Sequence, residues 1–461
     1  MARCLPASIF FAAIAFAIAL PANGAESLIE VYQRALQSDP VIREAEANYL
    51  ATLEASPQAR SAILPQLDFT GSYSDTNSTG SSTFPQFDPT TNQFINRSTR
   101  SETDSQTLNW QLQLRQTLFR WDQFVALHQA EKRVSQAGAN YEAAKQQLLL
   151  RVGDTYFNVL AAEDTLSSRV GAREAIGRQL EQAEKRFEVG LIAITDVQEA
   201  KAAHDLSIAA EIEAKRALAS AKEAMREITG EYIQELAFPT EQLPLKQPEP
   251  ADEQAWVDTA YDQNLALIAS RLGAEIASDD VRNRRSGYYP SLDLVASRGD
   301  RDTEAFRTNN GIGGSADSGS VDDTISLQFS LPLFAGGFTS SRVREAVYQH
   351  RAAREALERV ARETERQTRD AYLGVLSEIS RVQALGQALQ SSETALKATE
   401  AGFEVGTRTT VDVLAARRTL LEAQTNYARS RYDYILNVLR LKQAAGILNV
   451  EDLEEVDGWL N

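Results

Sequence analysis

The chain repeats itself at long range, and no other feature of the sequence constrains its fold as much. The segment Phe187–Gly190 recurs as Phe403–Gly406, and the offset is 403 − 187 = 216 residues. The segment Asp154–Leu160 returns at the same offset as Asp370–Leu376. Self-similarity at a fixed spacing indicates a duplicated structural unit. We therefore expect two internal repeats of one fold.

The first 24 residues are typical of a signal peptide and are not expected to belong to the fold. Arg3 supplies a positive charge, and Ile9 to Leu20 form an apolar run of the length that export signals use. The duplication sets the remaining boundaries. The predicted division is a signal peptide at 1–24, a first repeat at 25–238, a linker at 239–252, a second repeat at 253–446 and a C-terminal segment at 447–461.

Composition excludes several classes of function. Lys and Arg number 47 against 64 Asp and Glu, and the resulting net charge of −17 argues against a nucleic-acid partner. The single cysteine, Cys4, lies inside the signal peptide, so no cysteine-based metal or redox site is expected. The three histidines match no metal-ligand spacing, and the sequence has no strong nucleophile or phosphate-binding motif. We predict no enzymatic activity, no cofactor and no resident metal.

Most of each half is predicted to be helical. Apolar and small residues recur every three or four positions, which is the period of a coiled coil, and the chain lacks proline from 90 to 238. In the first repeat the pattern predicts helices at 27–63, 121–188 and 195–230. The middle one would extend about 100 Å at 1.5 Å per residue, far beyond a globular helix.

Four short segments have a different period. Apolar and polar residues alternate in them, as in a transmembrane β-strand or in a half-buried soluble sheet. The predicted strands are about 65–76, 106–118, 290–299 and 323–333. Between them, 75–106 and 299–323 are rich in Gly, Ser, Asn and Asp and are predicted to be loops. Aromatic residues cluster at the helix-facing ends of the strands, as in an interfacial girdle, namely Phe119, Trp121, Tyr288, Tyr289, Phe334 and Phe338.

Four strands are too few to close a barrel, and an open sheet in lipid would leave backbone groups unpaired. Closure therefore requires several chains. Eight strands from a dimer would give an interior filled by side chains, whereas twelve from a trimer would leave a pore. The predicted fold is an α+β membrane protein, a homotrimer with a twelve-stranded barrel in lipid and long coiled-coil helices.

These residues resemble the outer membrane efflux proteins, the trimeric channels of Gram-negative efflux pumps and type I secretion systems. The resemblance runs from about Leu28 to the C-terminus, and its most specific stretches are Arg186–Val197 and Gly402–Leu414. It implies a passive duct through the periplasm and outer membrane, with a periplasmic adaptor and an inner-membrane transporter as partners. It also implies that the linker and the C-terminal segment form an equatorial belt around the tunnel.

The resemblance also implies roles for residues at the helical hairpin tips. Asp412 would form a ring of carboxylates at the periplasmic aperture, and the position of a second ring is occupied by Ala415. The family has a tyrosine where this chain has Phe403, so a hydroxyl is missing there. The implied gate links are Thr195, Asp196, Arg408, Gln179, Glu400 and Phe403. The implied adaptor-docking tips are Val189, Gly190, Leu191, Val405, Gly406 and Thr407.

Each of these roles has a simpler alternative. Asp196 and Asp412 could cap helices, because Asp is favoured at helix N-termini. Arg408 with Asp196 could be a surface ion pair worth at most about 1 kcal/mol. Gln179 and Glu400 could be ordinary solvated positions. For the whole protein, the alternative to a channel is a non-conducting structural or adhesive trimer with a coiled-coil stalk.

Overall fold

The computed structural model describes residues 25–233, 235–240 and 243–460, so the predicted signal peptide lies outside the described residues. The helices are α1 Leu28–Ser38, α2 Pro40–Leu53, α3 Ala55–Ser61, α4 Trp121–Glu188, α5 Ile194–Thr229, α6 Glu253–Gln263, α7 Leu265–Arg285, α8 Phe338–Glu404, α9 Thr410–Ala444 and α10 Val450–Asp457. The strands are β1 Gln66–Asp88, β2 Gln93–Phe119, β3 Ser291–Asn309, β4 Ile312–Ser315 and β5 Ser318–Ser330.

Two long helical hairpins dominate the molecule. Helix α4 has 68 residues and α8 has 67, and each turns back at its C-terminal end into a helix of about half that length, α5 or α9. Helices α2 and α3 pack on α4 nearer the sheet, while α7 packs between α4 and α8. Among the described residues, no helix is long and apolar enough to cross a membrane.

The predicted helix 27–63 is wrong as a single element, because the chain forms three helices there. The first break falls at Asp39, whose extended backbone ends α1 and whose carboxylate accepts a hydrogen bond from the amide of Val41. Pro40 has no N–H and a φ that suits the first helical position, so it starts α2 where α1 stops. The second break follows Leu53, where the chain re-enters a helix at Ala55.

The strands form one antiparallel sheet, in the order β1-β2-β3 with β4 and β5 both paired to β3. Because β4 continues the line of β5 after an interruption at residues 316–317, the sheet is four strands wide. The predicted loops 75–106 and 299–323 are wrong, since most of both segments is strand. Strand β1 pairs with β2 without a shift from Gln66 to Asp88, so the ladder hydrogen bonds satisfy backbone groups that a loop would leave to water.

The core lies at the middle of the long helices, where three distant chain segments wrap around them. The buried hydroxyl of Tyr156 donates a hydrogen bond to the carbonyl of Ala237, at 2.7 Å, and also lies 3.1 Å from the carbonyl oxygen of Glu26. The carboxylate of Asp457 accepts one from the amide of Leu28 at 2.8 Å. Residues 26–28, residues 236–240 and the C-terminal segment thus meet in one belt. Fully buried side chains beneath it include Tyr156, Phe157, Leu160, Tyr434, Ile435 and Leu439.

Candidate channel entrance and membrane face

The first hairpin tip is the turn between α4 and α5. Gly190 has φ +74°, a left-handed conformation that glycine adopts without strain, and its amide donates to the Phe187 carbonyl at 2.8 Å. The amide of Leu191 donates to the Arg186 carbonyl at 2.9 Å. These bonds satisfy the last carbonyls of α4 and hold Val189 and Leu191 outward, with 70% and 73% of their surfaces exposed.

The second tip, between α8 and α9, has the same turn. Gly406 has φ +80°, its amide donates to the Phe403 carbonyl at 3.1 Å, and the Thr407 amide donates to the Gly402 carbonyl at 2.9 Å. Val405 is 76% exposed at its apex. Each tip therefore presents apolar side chains to its surroundings on a rigid turn.

Asp412 lies in the first turn of α9 and takes part in a capping box. Its carboxylate accepts hydrogen bonds from the Thr409 amide at 2.9 Å and the Thr409 hydroxyl at 3.0 Å, and its own amide donates to that hydroxyl. These bonds, the backbone one first, lower the pKa of Asp412, and nearby Arg408 adds to the effect. The N-cap of α9 is Thr409 and not Asp412, so the N-cap alternative is wrong for this residue; Asp412 instead stabilises the helix start from the third helical position and keeps its charge.

Asp196 occupies the equivalent position of α5 but makes no such bonds. The residue before that helix is Ala193, which has no side chain that can cap. Among the described residues the half-buried Asp196 carboxylate has no hydrogen-bond or ion-pair partner, and the neighbouring Thr195 is exposed. A carboxylate in this state is available to a group outside the chain.

Arg408 lies against the C-terminal end of α8. A Cβ atom at Gly402 would be 2.8 Å from the Arg408 Cγ atom, so the missing side chain of Gly402 makes room for the arginine stem. No ion pair joins Arg408 to Asp196 within the described residues of one chain. Their predicted link is therefore left to contacts between chains.

Gln179 and Glu400 do not meet within one chain. Glu400 instead pairs with Arg417 of α9, which ties α8 to α9 near the second tip. Gln179 is only 8% exposed, and within the described residues neither its amide nitrogen nor its oxygen has a hydrogen-bond partner. The sequence reasoning missed Arg417, whose pairing depends on the local approach of α8 and α9.

Phe403 is the ring-bearing member of the predicted gate. The guanidinium carbon of Arg186 lies 4.6 Å from the centre of the Phe403 ring, a cation–π contact between α4 and α8. The sequence reasoning also missed this contact. The one available signal was that Arg186 directly precedes the repeated Phe187–Gly190 segment.

At the opposite end of the molecule, one face of the sheet is an exposed apolar band. Cross-strand pairs on this face join Leu67 with Leu114, Phe69 with Leu112, and Tyr73 with Leu108. On β3 and β5 the band continues through Leu292, Leu294, Ala296, Ile325, Leu327 and Phe329. The other face carries Gln, Ser, Thr and Asn in the same strands. At the end of the band that adjoins the helices, Trp121 and Tyr289 make an edge-to-face ring pair with centroids 6.4 Å apart.

An exposed apolar sheet face continuous with a long helical bundle is the design of an outer-membrane channel. Solved structures show the same fold: VceC of Vibrio cholerae has a TM-score of 0.69 and 20% identity, covering 91% of this chain and 96% of that one. The CmeC channel of Campylobacter jejuni has a TM-score of 0.73 and 16% identity, with coverage of 100% and 98%.

The chain belongs to the outer membrane efflux protein family, whose model matches residues 31–231 and 256–447. It is 36% identical to outer membrane protein TolC of Vibrio cholerae over 461 residues, covering 100% of this chain and 99% of that protein. TolC of Escherichia coli is also 36% identical, with coverage of 95% and 85%. The alkaline protease secretion protein AprF of Pseudomonas aeruginosa is 27% identical, with coverage of 93% and 86%.

These relationships confirm the main functional prediction. The protein is an outer-membrane efflux channel that extends through the periplasm, and its role is transport. The alternative of a non-conducting adhesive stalk is not supported. Among the described residues there is also no group of three or more His, Cys, Asp or Glu side chains that could hold a metal ion.

Proposed function

We propose that three copies of this chain form a passive exit duct whose twelve-stranded barrel lies in the outer membrane. The observation that carries this proposal is the sheet itself. Its outermost strands, β1 and β5, each pair on one side only, and its apolar face is exposed. Lipid cannot satisfy free strand edges, so the edges must pair with those of neighbouring chains.

The assembly can be tested by measuring the mass of the detergent-solubilised protein. We expect a trimer, and a stable monomer or dimer would overturn the pore proposal. In the same preparation Phe69→Asp, on the apolar face, should prevent stable insertion into lipid. Thr70→Asp, on the opposite face of β1, is the matched control and should insert normally. Equal insertion of the two variants would mean that the apolar face of the sheet does not contact lipid.

The duct would serve efflux pumps, type I secretion systems or both. Some relatives are named for secretion and others for resistance. AprF is an alkaline protease secretion protein, and CzcC of Cupriavidus metallidurans, 27% identical over 312 residues, is a cobalt-zinc-cadmium resistance protein. The partners would be a periplasmic adaptor and an inner-membrane transporter. The tips around Gly190 and Gly406, where the resemblance places adaptor docking, expose Val189, Leu191 and Val405 and so leave these side chains free to contact an adaptor.

The hairpin tips would also form the closed entrance. Asp412 would face the axis as a single carboxylate ring, while Thr195 and Asp196 of one chain would bind Arg408 of the next. The unpartnered Asp196 carboxylate supports this link, because it has no competing partner in its own chain. Glu400 is held by Arg417, so a further link to Gln179 would require Glu400 to leave that ion pair. Single-channel recording in planar lipid bilayers tests the entrance, and a small closed-state conductance is expected.

A further inference from the structure

The contact between Arg186 and Phe403 joins the two hairpins of one chain close to both tips. Nearer the belt the hairpins are joined by Tyr432, whose hydroxyl donates to Asp164 at 2.6 Å. In the described residues beyond that point, between 165–210 and 385–430, the Arg186–Phe403 pair is the only hydrogen bond, ion pair or ring contact that crosses from one hairpin to the other.

Arg186 takes part in the turn of the first tip through its backbone and contacts the second hairpin through its side chain. Its backbone carbonyl accepts the hydrogen bond of Leu191 that closes the first turn. Its guanidinium lies over the ring of Phe403, whose own carbonyl accepts the hydrogen bond of Gly406 that closes the second turn. Arg186 and Phe403 therefore each accept a hydrogen bond that closes a turn, and their side chains form the contact between the two hairpins.

No carboxylate competes for this arginine among the described residues. The adjacent Lys185 pairs with Glu181, at 2.5 Å, whereas Arg186 has no ion pair and its side chain is half-buried. A planar, weakly hydrated guanidinium stacks well on an aromatic face. The ring of Phe403 supplies that face without needing a hydroxyl.

The opposite contact cannot form, which makes the bridge a single one per chain. The position equivalent to Arg186 in the second hairpin is Gly402, since 402 − 186 = 216, and glycine has no side chain to reach across. Phe187, the equivalent of Phe403, is 42% exposed and has no ring or cation partner among the described residues. The equivalent positions in the two hairpins thus have different functions.

We propose that Arg186 is a positioning residue for the entrance: its stacking on Phe403 latches the α8–α9 hairpin to the α4–α5 hairpin of the same chain in the closed state. This inference rests on the proposed gate. The latch acts within a chain, whereas the Asp196–Arg408 link acts between chains. Opening that moves one hairpin past the other must separate the guanidinium from the ring.

The test is a double-mutant cycle read by single-channel recording. Phe403→Leu and Arg186→Ala should each raise the open-to-closed ratio about two- to five-fold per chain, the range for an exposed cation–π contact. The combined variant should rise no further than the larger single effect. Arg186→Lys, which keeps the charge but loses the planar group, should fall between wild type and Arg186→Ala. Phe187→Leu is the matched control and should behave as wild type.

Additive effects of the two substitutions, or equal behaviour of Phe403→Leu and Phe187→Leu, would overturn the latch. Hydrogen exchange separates this failure from a failure of the gate. In detergent-solubilised protein, Arg186→Ala should speed amide exchange at residues 403–409 whether or not the protein conducts. If the Asp196→Ala, Arg408→Ala variant opens the channel while Arg186→Ala changes neither exchange nor conductance, the gate stands and the latch is wrong.

Discussion

The two hairpin tips have the same backbone and different side-chain chemistry. Both turns close on a left-handed glycine, Gly190 or Gly406, which is the last residue of a four-residue segment of identical sequence. Helix α9 then begins with Thr409 and a complete capping box, whereas α5 begins with Ala193 and no side-chain cap. The residue before each helix therefore differs in its ability to bond the aspartate three positions later: Thr409 binds Asp412, whereas Ala193 has no side-chain group that could bind Asp196.

The difference concerns which aspartate carboxylate is available for the gate link that we propose between chains. Asp412 is already bonded to its own helix, so its orientation is fixed and its charge is retained. Asp196 has no partner within the described part of its chain and can accept bonds from another chain. A fixed charge suits a selectivity ring, and a free carboxylate suits a gate link that must form and break.

The largest effect is expected when the free carboxylate and its proposed partner are both removed. The Asp196→Ala, Arg408→Ala double variant should loosen the entrance and raise the single-channel conductance several-fold, because a charge-assisted link is lost while the long helices remain intact. Glu199→Ala, an exposed acidic residue on α5, is the control. Unchanged conductance in the double variant would mean that the two residues do not gate the channel.

A second effect concerns the fixed charge. Asp412→Asn should lower cation selectivity, seen as a shift in reversal potential, because the amide oxygen can still cap α9 but carries no charge. Ala415→Asp should strengthen block by a trivalent cation by adding a second ring. Glu404→Gln removes a nearby exposed charge for comparison. If Asp412→Asn left both quantities unaltered, Asp412 would be a cap alone.

Exchanging the caps should exchange the properties of the tips. Thr409→Ala removes the hydroxyl cap and should destabilise the start of α9 by about 1 kcal/mol, and Ala193→Thr should stabilise the start of α5 by a similar amount. Hydrogen exchange at the first-turn amides of each helix measures both. Ala193→Thr should also occupy Asp196 and weaken closure. A stabilised α5 with unaltered closure would contradict the role of a free Asp196.

The smallest expected effect is on pH dependence. Hydrogen bonds from Thr409 lower the pKa of Asp412, so the carboxylate stays charged to a lower pH than an unbonded one. Thr409→Val removes the hydroxyl donor, and the pH at which cation selectivity is half lost should therefore rise. Repulsion among three nearby carboxylates would raise their pKa in wild type and variant alike, so the comparison of the two proteins isolates the effect of the hydroxyl. The measurement is the reversal potential across the acidic pH range. If the pH of half-lost cation selectivity were the same in Thr409→Val and wild type, the Thr409 hydroxyl would not be what lowers the pKa of Asp412.

Long periodic patterns allowed the helices to be predicted well, and local breaks did not show in them. The predicted helix 121–188 has the same bounds as α4. The predicted helix 27–63 ignored the pair Asp39 and Pro40, although an N-cap followed by proline is a known start signal. The apolar period runs across that break, because α1 and α2 both pack on α4.

The lengths of the strands and the contacts between side chains could not be predicted from the sequence, for a different reason. Ser, Asn and Gly in 75–106 favour turns as single residues, but each gains a ladder partner once the hairpin forms, and that gain depends on the opposite strand. The positions of the tip residues could be predicted from the repeated motif. The contact of Arg186 with Phe403 could not, because the two are 403 − 186 = 217 residues apart and meet only through packing.

The belt has a consequence for how the chain could be reconnected. It holds Leu28 within hydrogen-bond distance of Asp457, and β-bridges join Glu26 to Leu236 and Pro239 to Leu460. The two ends of the fold and the linker between its hairpins are therefore neighbours. A short bridge from the end of α10 to α1, with a cut in the linker at residues 243–250, would give a circular permutant with the hairpins in reverse order. The packing between the long helices would be kept, so the order of the two hairpins along the chain is a matter of connectivity.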